Sequence, residues 1–452
     1  MKRKTAVGGA VQLLVLAAGL ARGGEPPDIE SLFTRFKSDS PAERIEAAKA
    51  LNKMSPDAKP LAPRLIPLLS DEYWDVRQCA AELLFRAGEA AVPELVKALK
   101  APGYYPRYYA ARTLARLGPQ AKAALPELGS VLADAREALD VRIEAARAIL
   151  SIGDTAAVAA SLVVAMGGTD TTLRELGAEG VAKAGKVVVP EVVKLLKSTD
   201  RGLRLTACRA LAGMGAQGRE AAGALMVVFK DELEALEKEA GKIDSVGIRD
   251  SFIRHSTDTP VLAAMGCMGA DVAPELVELL KTGRNATVMW VSRVLGRMGP
   301  EAKTAVGALA QVLESSPDAG NRARAAEALG GIARVSPEAM AALGKALTDK
   351  EDVVQRYSAI ALKTAGGVTI LAAALKNTPP AVRKLAAKTL GEMGAAAAAA
   401  VPALEEAAKD ADQEVKTEAE NALKVIQPPK KQEPPPKAAK SEPECKIPET
   451  GK

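Results

Sequence analysis

The chain has 452 residues, 48% of them hydrophobic and 26% charged, with a formal net charge of +5 and a single histidine, His255. One histidine excludes paired-histidine metal sites, the H-E-x-x-H signature and every triad that needs a second imidazole. Of the formal charge, three units come from Lys2, Arg3 and Lys4 and two from a tail in which six lysines face four glutamates. The stretch between is balanced and carries no dense Lys/Arg block, which argues against a nucleic-acid partner.

From the start, Lys2-Arg3-Lys4 precede an apolar run from Ala6 to Leu20, and Gly19-Leu20-Ala21 offers small residues for cleavage. This reads as a secretory signal peptide over 1–21, too short for a comfortable membrane span. The expected location is therefore periplasmic or extracellular, and the mature chain should have no transmembrane span. Residues 22–37 are read as a lead-in.

From residue 38 to 427 one pattern recurs. In Asp71–Lys100 a first helix carries Val76, Ala80, Leu83, Leu84 and Ala87 at three-and-four spacing, Gly88 stops it, and Pro93 opens a second helix with Leu95, Val96 and Leu99. Neither helix can bury its stripe alone, so the unit must stack on copies of itself. Aligned on the aliphatic anchor, the copies sit at Leu51, Leu84, Leu114, Ile149, Val181, Leu211, Leu262, Leu295, Leu329, Leu362, Leu390 and Leu423. Neighbouring anchors are 28 to 35 residues apart except for one step of 51. Four residues after most anchors comes a glycine, from Gly88 to Gly394, with Gly266 in the seventh copy. Seven residues before the anchor comes a cation, giving a ladder of Arg44, Arg77, Arg107, Arg142, Arg174, Arg204, Arg322 and Arg383, continued by Lys416 and broken by His255, Val288 and Gln355.

The pattern D-x-x-V-R-x-x-A-A-x-x-L-x-x-x-G-x-x-A-x-x-x-x-P-x-L resembles the HEAT repeat, in the short form also found in phycobilisome-lyase-like proteins. The resemblance implies an all-α fold: an α-solenoid of about twelve stacked helical hairpins, a HEAT-like superhelix. It also implies a structural arginine ladder tying adjacent repeats, first helices on the convex side and second helices lining a concave binding surface. The deoxyhypusine hydroxylases, a HEAT-type enzyme group, need several His-Glu pairs, which one histidine cannot supply.

Three irregularities interrupt the repeat. The long step carries an acidic insertion, DELEALEKEAGKIDSVG over 231–247, expected to extend the second helix of the sixth copy and then loop out, with Pro260 close behind. Aromatic residues gather in the second and third copies: Tyr73, Trp74, Phe85, Tyr104, Tyr105, Tyr108 and Tyr109. Tyr104 and Tyr105 are expected in the connection before the first helix, with one of Tyr108 and Tyr109 facing inward and the other exposed. Tyr73, Trp74, Tyr104, Tyr105 and Tyr108 are candidate partner contacts, since aromatic residues dominate interface hot spots. The third irregularity is the end of the chain: from 428 to 452 seven prolines and almost nothing to bury predict a disordered tail with polyproline bias.

Charged residues opening the second helices, Glu94, Glu127, Glu191 and Glu275, suit the positive end of the helix dipole. With Lys97, Lys194 and Glu278 they complete the candidate partner-binding set. Cys79, Cys208, Cys267 and Cys445 are widely spaced, with no zinc-like pattern, and read as thiols rather than disulfides. Gly213-Met-Gly215-Ala-Gln-Gly218 matches G-x-G-x-x-G, yet a helix precedes it where a dinucleotide site requires a strand. No catalytic residue, metal ligand or cofactor is assigned. The favoured function is a non-catalytic exported scaffold that holds protein partners; the alternative is a lyase-like or enzyme-associated solenoid binding a hydrophobic small molecule, with Tyr104–Tyr109 its best pocket.

Overall fold

The computed structural model describes residues 28–427 apart from 55, 244–250, 252–258, 283 and 377. The stretch expected to be a signal peptide, the tail, Ser55, the end of the insertion from 244, His255 and Cys445 lie outside them. Every element among the described residues is helical, and the α-solenoid expected from the repeat is present. The chain forms two compact units, one reaching Ala235 and including the segment that ends at Met268, the other beginning at Leu236 and taking in the chain from Gly269.

The hairpin is built as the spacing requires. The helix Trp74–Ala87 buries Val76, Ala80, Leu83, Leu84 and Ala87, and Gly88, at φ +64°, ends it in a backbone conformation that a side chain would strain. A short 3₁₀ turn, Gly88–Ala91, then leads into Val92–Ala98, with Pro93 in its first turn and Leu95 buried. The seventh copy departs from the pattern. Gly266 has an ordinary helical φ of −62°, and the positive-φ glycine is Gly269. Its described helix, Pro260–Met265, is short, and Pro260 sits at its start behind a Thr259 cap, where the missing N–H costs nothing.

The described part of the lead-in, from residue 28, is helical. Asp28 caps the helix Ile29–Arg35, which buries Leu32 and Phe33 against the first repeat. Arg64 pairs with Glu30 at 2.5 Å and lies over the Phe33 ring at 3.9 Å, closing an end that a repeat stack would otherwise leave apolar.

The arginine ladder has two ends. One end donates to a carbonyl in the connection just before the helix: Arg44 to Ser38 O, Arg174 to Gly168 O, Arg204 to Ser198 O and Arg322 to Ser316 O, each six residues back. These carbonyls follow a helix end that has spent its own donors. The other end reaches an acid of the following repeat: Arg44–Asp71 at 2.9 Å, Arg107–Glu137 at 2.7 Å, Arg322–Asp349 at 2.8 Å and Arg383–Asp410 at 2.7 Å. Gln355, a break in the sequence ladder, keeps the first end by donating to Asp349 O at 2.7 Å.

The insertion is less solvated than its acidity suggests. The helix Ala222–Gly241 is extended as expected, but Leu233, Leu236 and Ala240 are buried. Glu232 is buried as well, hydrogen-bonded to Arg201 and 3.7 Å from Arg204, so it serves as the acid at that rung. In the second unit Glu237 accepts from Thr287 and pairs with Arg284 at 2.7 Å.

The two helix layers are not equally spaced. First helices of successive repeats lie closer together than second helices do. A Cβ on Gly296 would stand 3.0 Å from the Ala328 Cα, and one on Gly213 would stand 2.8 Å from the Ala182 Cβ. In the second-helix layer the corresponding neighbours of Gly129 and Gly344 are the larger side chains of Val158 and Ile370. A stack curves toward its tighter layer, so within each unit the first helices line the inner side. This reverses the expectation that second helices do so.

The Asp349–Arg322 rung is buried, with Arg322 only 3% exposed, and removing one partner leaves the other desolvated. Asp349→Ala should destabilise the chain by about 3 kcal/mol, read from urea unfolding; a loss within measurement error would deny the ladder a structural role. Burial alone would push the Asp349 carboxyl up, but the Arg322 hydrogen bonds and the Glu351 amide outweigh it and hold the pKa below the usual 3.8. Arg383 and the Asp412 amide likewise lower Asp410. A depressed carboxylate contributes fully above its unfolded pKa and is lost as pH falls through the folded one. Stability should thus be level near neutrality and fall below about pH 4, with a shallower fall in Asp349→Asn.

Candidate protein-interaction face

The inner layer of the first unit holds two adjoining hollows. Three consecutive first helices, Pro41–Met54, Trp74–Ala87 and Tyr104–Leu117, wall a groove of about 370 Å³. Its lining includes Asn52 from the first, Trp74, Gln78 and Glu82 from the second, and Tyr109 and Arg112 from the third. Cys79 lies at its base, its thiol donating to Ala48 O of the preceding repeat at 3.1 Å. A second, more open hollow of about 440 Å³ continues over Tyr108, Arg112 and Arg116 to Glu144 and Arg147 on Leu139–Ile152. The groove spans repeats because a residue two before or two after the anchor leucine always points to the same side of its helix.

Trp74 is 58% exposed at the groove, although it is the first residue of its helix and could have packed beneath it. Glu82 accepts from Arg116 at 2.9 Å and lies 3.5 Å from Arg86, and Arg116 also covers the Phe85 ring at 4.0 Å. Glu144 is buried and paired with Arg147 at 2.6 Å. Arg112, exposed and on the wall of both hollows, has no ion-pair or hydrogen-bond partner among the described residues.

The sequence-predicted candidates divide between the layers. Tyr104 and Tyr105 are in the first turn of Tyr104–Leu117, one turn later than the connection expected for them. Tyr109 faces inward and is 4% exposed, as one member of its pair should; Tyr108 is half-buried and stacks on Tyr104 at 5.8 Å. The cluster spreads along a helix end, beside hollows whose walls mix charged and apolar side chains. Tyr73 lies 5.2 Å from the Arg44 guanidinium.

Tyr105 has a structural task. Arg77 makes no ion pair among the described residues, because its following repeat opens with Ala101-Pro102-Gly103 and supplies no acid. The ring of Tyr105 lies 3.9 Å from its guanidinium instead, and Tyr109 is 5.7 Å away. A π face thus takes the place of a carboxylate at this rung.

Glu94, Lys97, Glu127, Glu191, Lys194, Glu275 and Glu278 are all on second helices and therefore on the outer layer. Several neutralise one another: Lys97–Glu94 and Lys194–Glu191 at 2.7 Å, Lys281–Glu278 and Lys100–Glu127 at 2.6 Å. Such exposed pairs are each worth a fraction of a kcal/mol and tune helix stability. Sequence reasoning missed Arg112, Arg116 and Arg147, which a reading at fixed offsets from the anchor, Lys49, Arg112 and Arg147 two places before it and Arg116 two places after it, would have found once the inner layer was known.

The chemistry of the remaining candidates is quiet. Burial pushes the Cys79 thiol up to about 11 and the Cys208 thiol to about 12, so neither carries appreciable thiolate at neutral pH. Among the described residues no cluster of His, Cys, Asp or Glu could hold a metal, and no helix is long and apolar enough to cross a membrane. The G-x-G-x-x-G match spans the end of the helix Arg201–Met214 and the 3₁₀ turn Gly215–Ala221, with no strand before it.

Comparison with known proteins agrees with this architecture. Residues 342–424 match the HEAT repeats model and residues 106–134 the PBS lyase HEAT-like repeat model. The chain therefore carries HEAT-type repeats in these two stretches. No curated protein matches its sequence. Among solved structures it is similar in fold to the karyopherin Kap121p bound to Nup53p, at 15% identity and TM-score 0.55, over 93% of this chain and 51% of that one. The Kap121p complex with the extreme C-terminus of the protein phosphatase Cdc14p matches at 15% identity and TM-score 0.53, over 92% and 52%. The chain thus spans about half the length of these karyopherins.

Replacing the Tyr105 ring should cost what a partly exposed cation–π contact is worth: Tyr105→Ala is expected to lower stability by about 0.5–1 kcal/mol, and Tyr105→Phe to leave it near native. Equal losses in the two variants would assign the effect to the hydroxyl. Ellman's reagent should leave Cys79 and Cys208 unmodified in the native chain and reach them only in urea; fast native labelling of Cys79, followed by peptide mapping, would contradict its burial.

Proposed function

We propose that this chain is a non-catalytic, exported scaffold that holds protein partners along the inner, first-helix face of its first unit. The observation that carries the reading is Trp74, a large aromatic side chain left 58% exposed at a groove that crosses three repeats. Burying such a ring in a partner contact supplies much of the energy a stable interface needs. Support also comes from the solved karyopherin solenoids, one bound to Nup53p and another to the extreme C-terminus of the protein phosphatase Cdc14p. The basic start and short apolar run over 1–21 support export to the periplasm or beyond. The inert thiols and the lone histidine support a role without catalysis.

The test compares the native chain, immobilised, with Trp74→Ala and with Lys97→Ala on the outer layer. A partner retained from the exported fraction by the native chain and by Lys97→Ala, then purified and titrated, is expected to bind Trp74→Ala about tenfold more weakly. Equal affinity for Trp74→Ala would remove the groove from the function. N-terminal sequencing of the exported chain should begin at or beside Arg22.

A further inference from the structure

The charges along the inner face are not matched in kind. Lys49, Arg112, Arg116 and Arg147 line the two hollows from first helices, and two of the three acids there are already paired. Glu82 is divided between Arg86 and Arg116, and Glu144 is buried against Arg147. Arg112 and Arg116 are four residues apart on one helix, a like-charge pairing that costs a few tenths of a kcal/mol rather than stabilising. Arg112 has no compensating acid among the described residues, and it stands on the wall shared by both hollows. Guanidinium groups with unspent donors beside Trp74 and Tyr108 form a receptor for carboxylates next to apolar side chains.

We propose that the inner groove of the first unit binds an extended, acidic peptide segment, with carboxylates on Arg112 and Arg116 and an apolar side chain on Trp74. The inference rests on the interaction-face reading and names its partner's chemistry. Neighbouring helices in such a stack are about 8–10 Å apart and an extended chain rises about 3.3 Å per residue. Roughly every third residue of the peptide therefore meets the next first helix. The interleaved acids Asp75, Glu82 and Glu144 favour a peptide over a nucleic acid. Exposed Asp75 can accept from a backbone N–H of the peptide, and the three carboxylates together would repel an unbroken run of phosphates.

The experiment measures fluorescence anisotropy of the full chain with a labelled peptide repeating Glu-Ser-Leu, alongside Gln-Ser-Leu and Lys-Ser-Leu versions and a labelled oligothymidylate. The Glu peptide should bind at least about tenfold more tightly than the Gln version, the increment expected of one or two charge-assisted hydrogen bonds. Arg112→Glu, an exposed position whose circular dichroism should stay native, is expected to remove that preference. Equal binding of the Glu and Gln peptides, tighter binding of the Lys peptide or of oligothymidylate, or no binding by any probe would overturn the proposal. Trp74→Ala separates the two readings. Charge-indifferent binding that this variant weakens would sink the acidic partner while leaving the interaction face standing.

Discussion

A cation seven residues ahead of most anchor residues governs the architecture, because it solves two problems with one side chain. A helical hairpin ends in a connection whose carbonyls have no helical donor, and the next hairpin must be held at a fixed offset from the last. The arginine of the first helix donates backward to the connection and reaches forward to an acid one repeat on, as Arg322 does with Ser316 O and Asp349. Its guanidinium has enough donors in fixed directions to do both, which a lysine has not. The hydrophobic stripes supply most of the stacking energy, while the ladder sets the register in which they stack.

That logic explains how the chain departs from its own pattern. Where the third repeat offers no acid, Tyr105 presents its ring to Arg77. At the sixth, Glu232 from the lengthened helix approaches Arg204. Where the arginine itself is missing, Gln355 retains the backward bond. In each case the connection carbonyl or the guanidinium of the rung finds a partner among the residues locally on offer. The aromatic and acidic excesses of the sequence are thereby partly absorbed into structure, and what remains unabsorbed, Trp74 above all, stands out against that background.

The inner and outer layers differ in how their charges are used. Outer-layer charges are mostly local ion pairs one turn apart or between neighbouring second helices, a solvated surface that stabilises itself. On the inner layer of the first unit a carboxylate is shared between two guanidinium groups, and Arg112 is left over in a groove with the exposed Trp74 ring. A surface that has not satisfied itself is one a partner can complete, and the fold places that surface where several repeats contribute to it at once.

The sequence by itself determined the repeat, its period, the helix ends and the ladder. Each of these is local or recurs at fixed spacing: Gly88 marks a positive φ, Pro93 a first turn, and Leu84 a buried stripe. It also determined that one of Tyr108 and Tyr109 must face inward, because sister positions in other repeats are apolar. Only the tertiary structure decided which layer lies inside the curve, since that depends on how closely Gly296 and Ala328 approach across repeats and not on any one helix. It likewise decided that Arg112 lacks a partner while Glu94 and Lys97 have each other. A residue's type fixes the bonds it can make; only the neighbours brought by folding determine which of them are made.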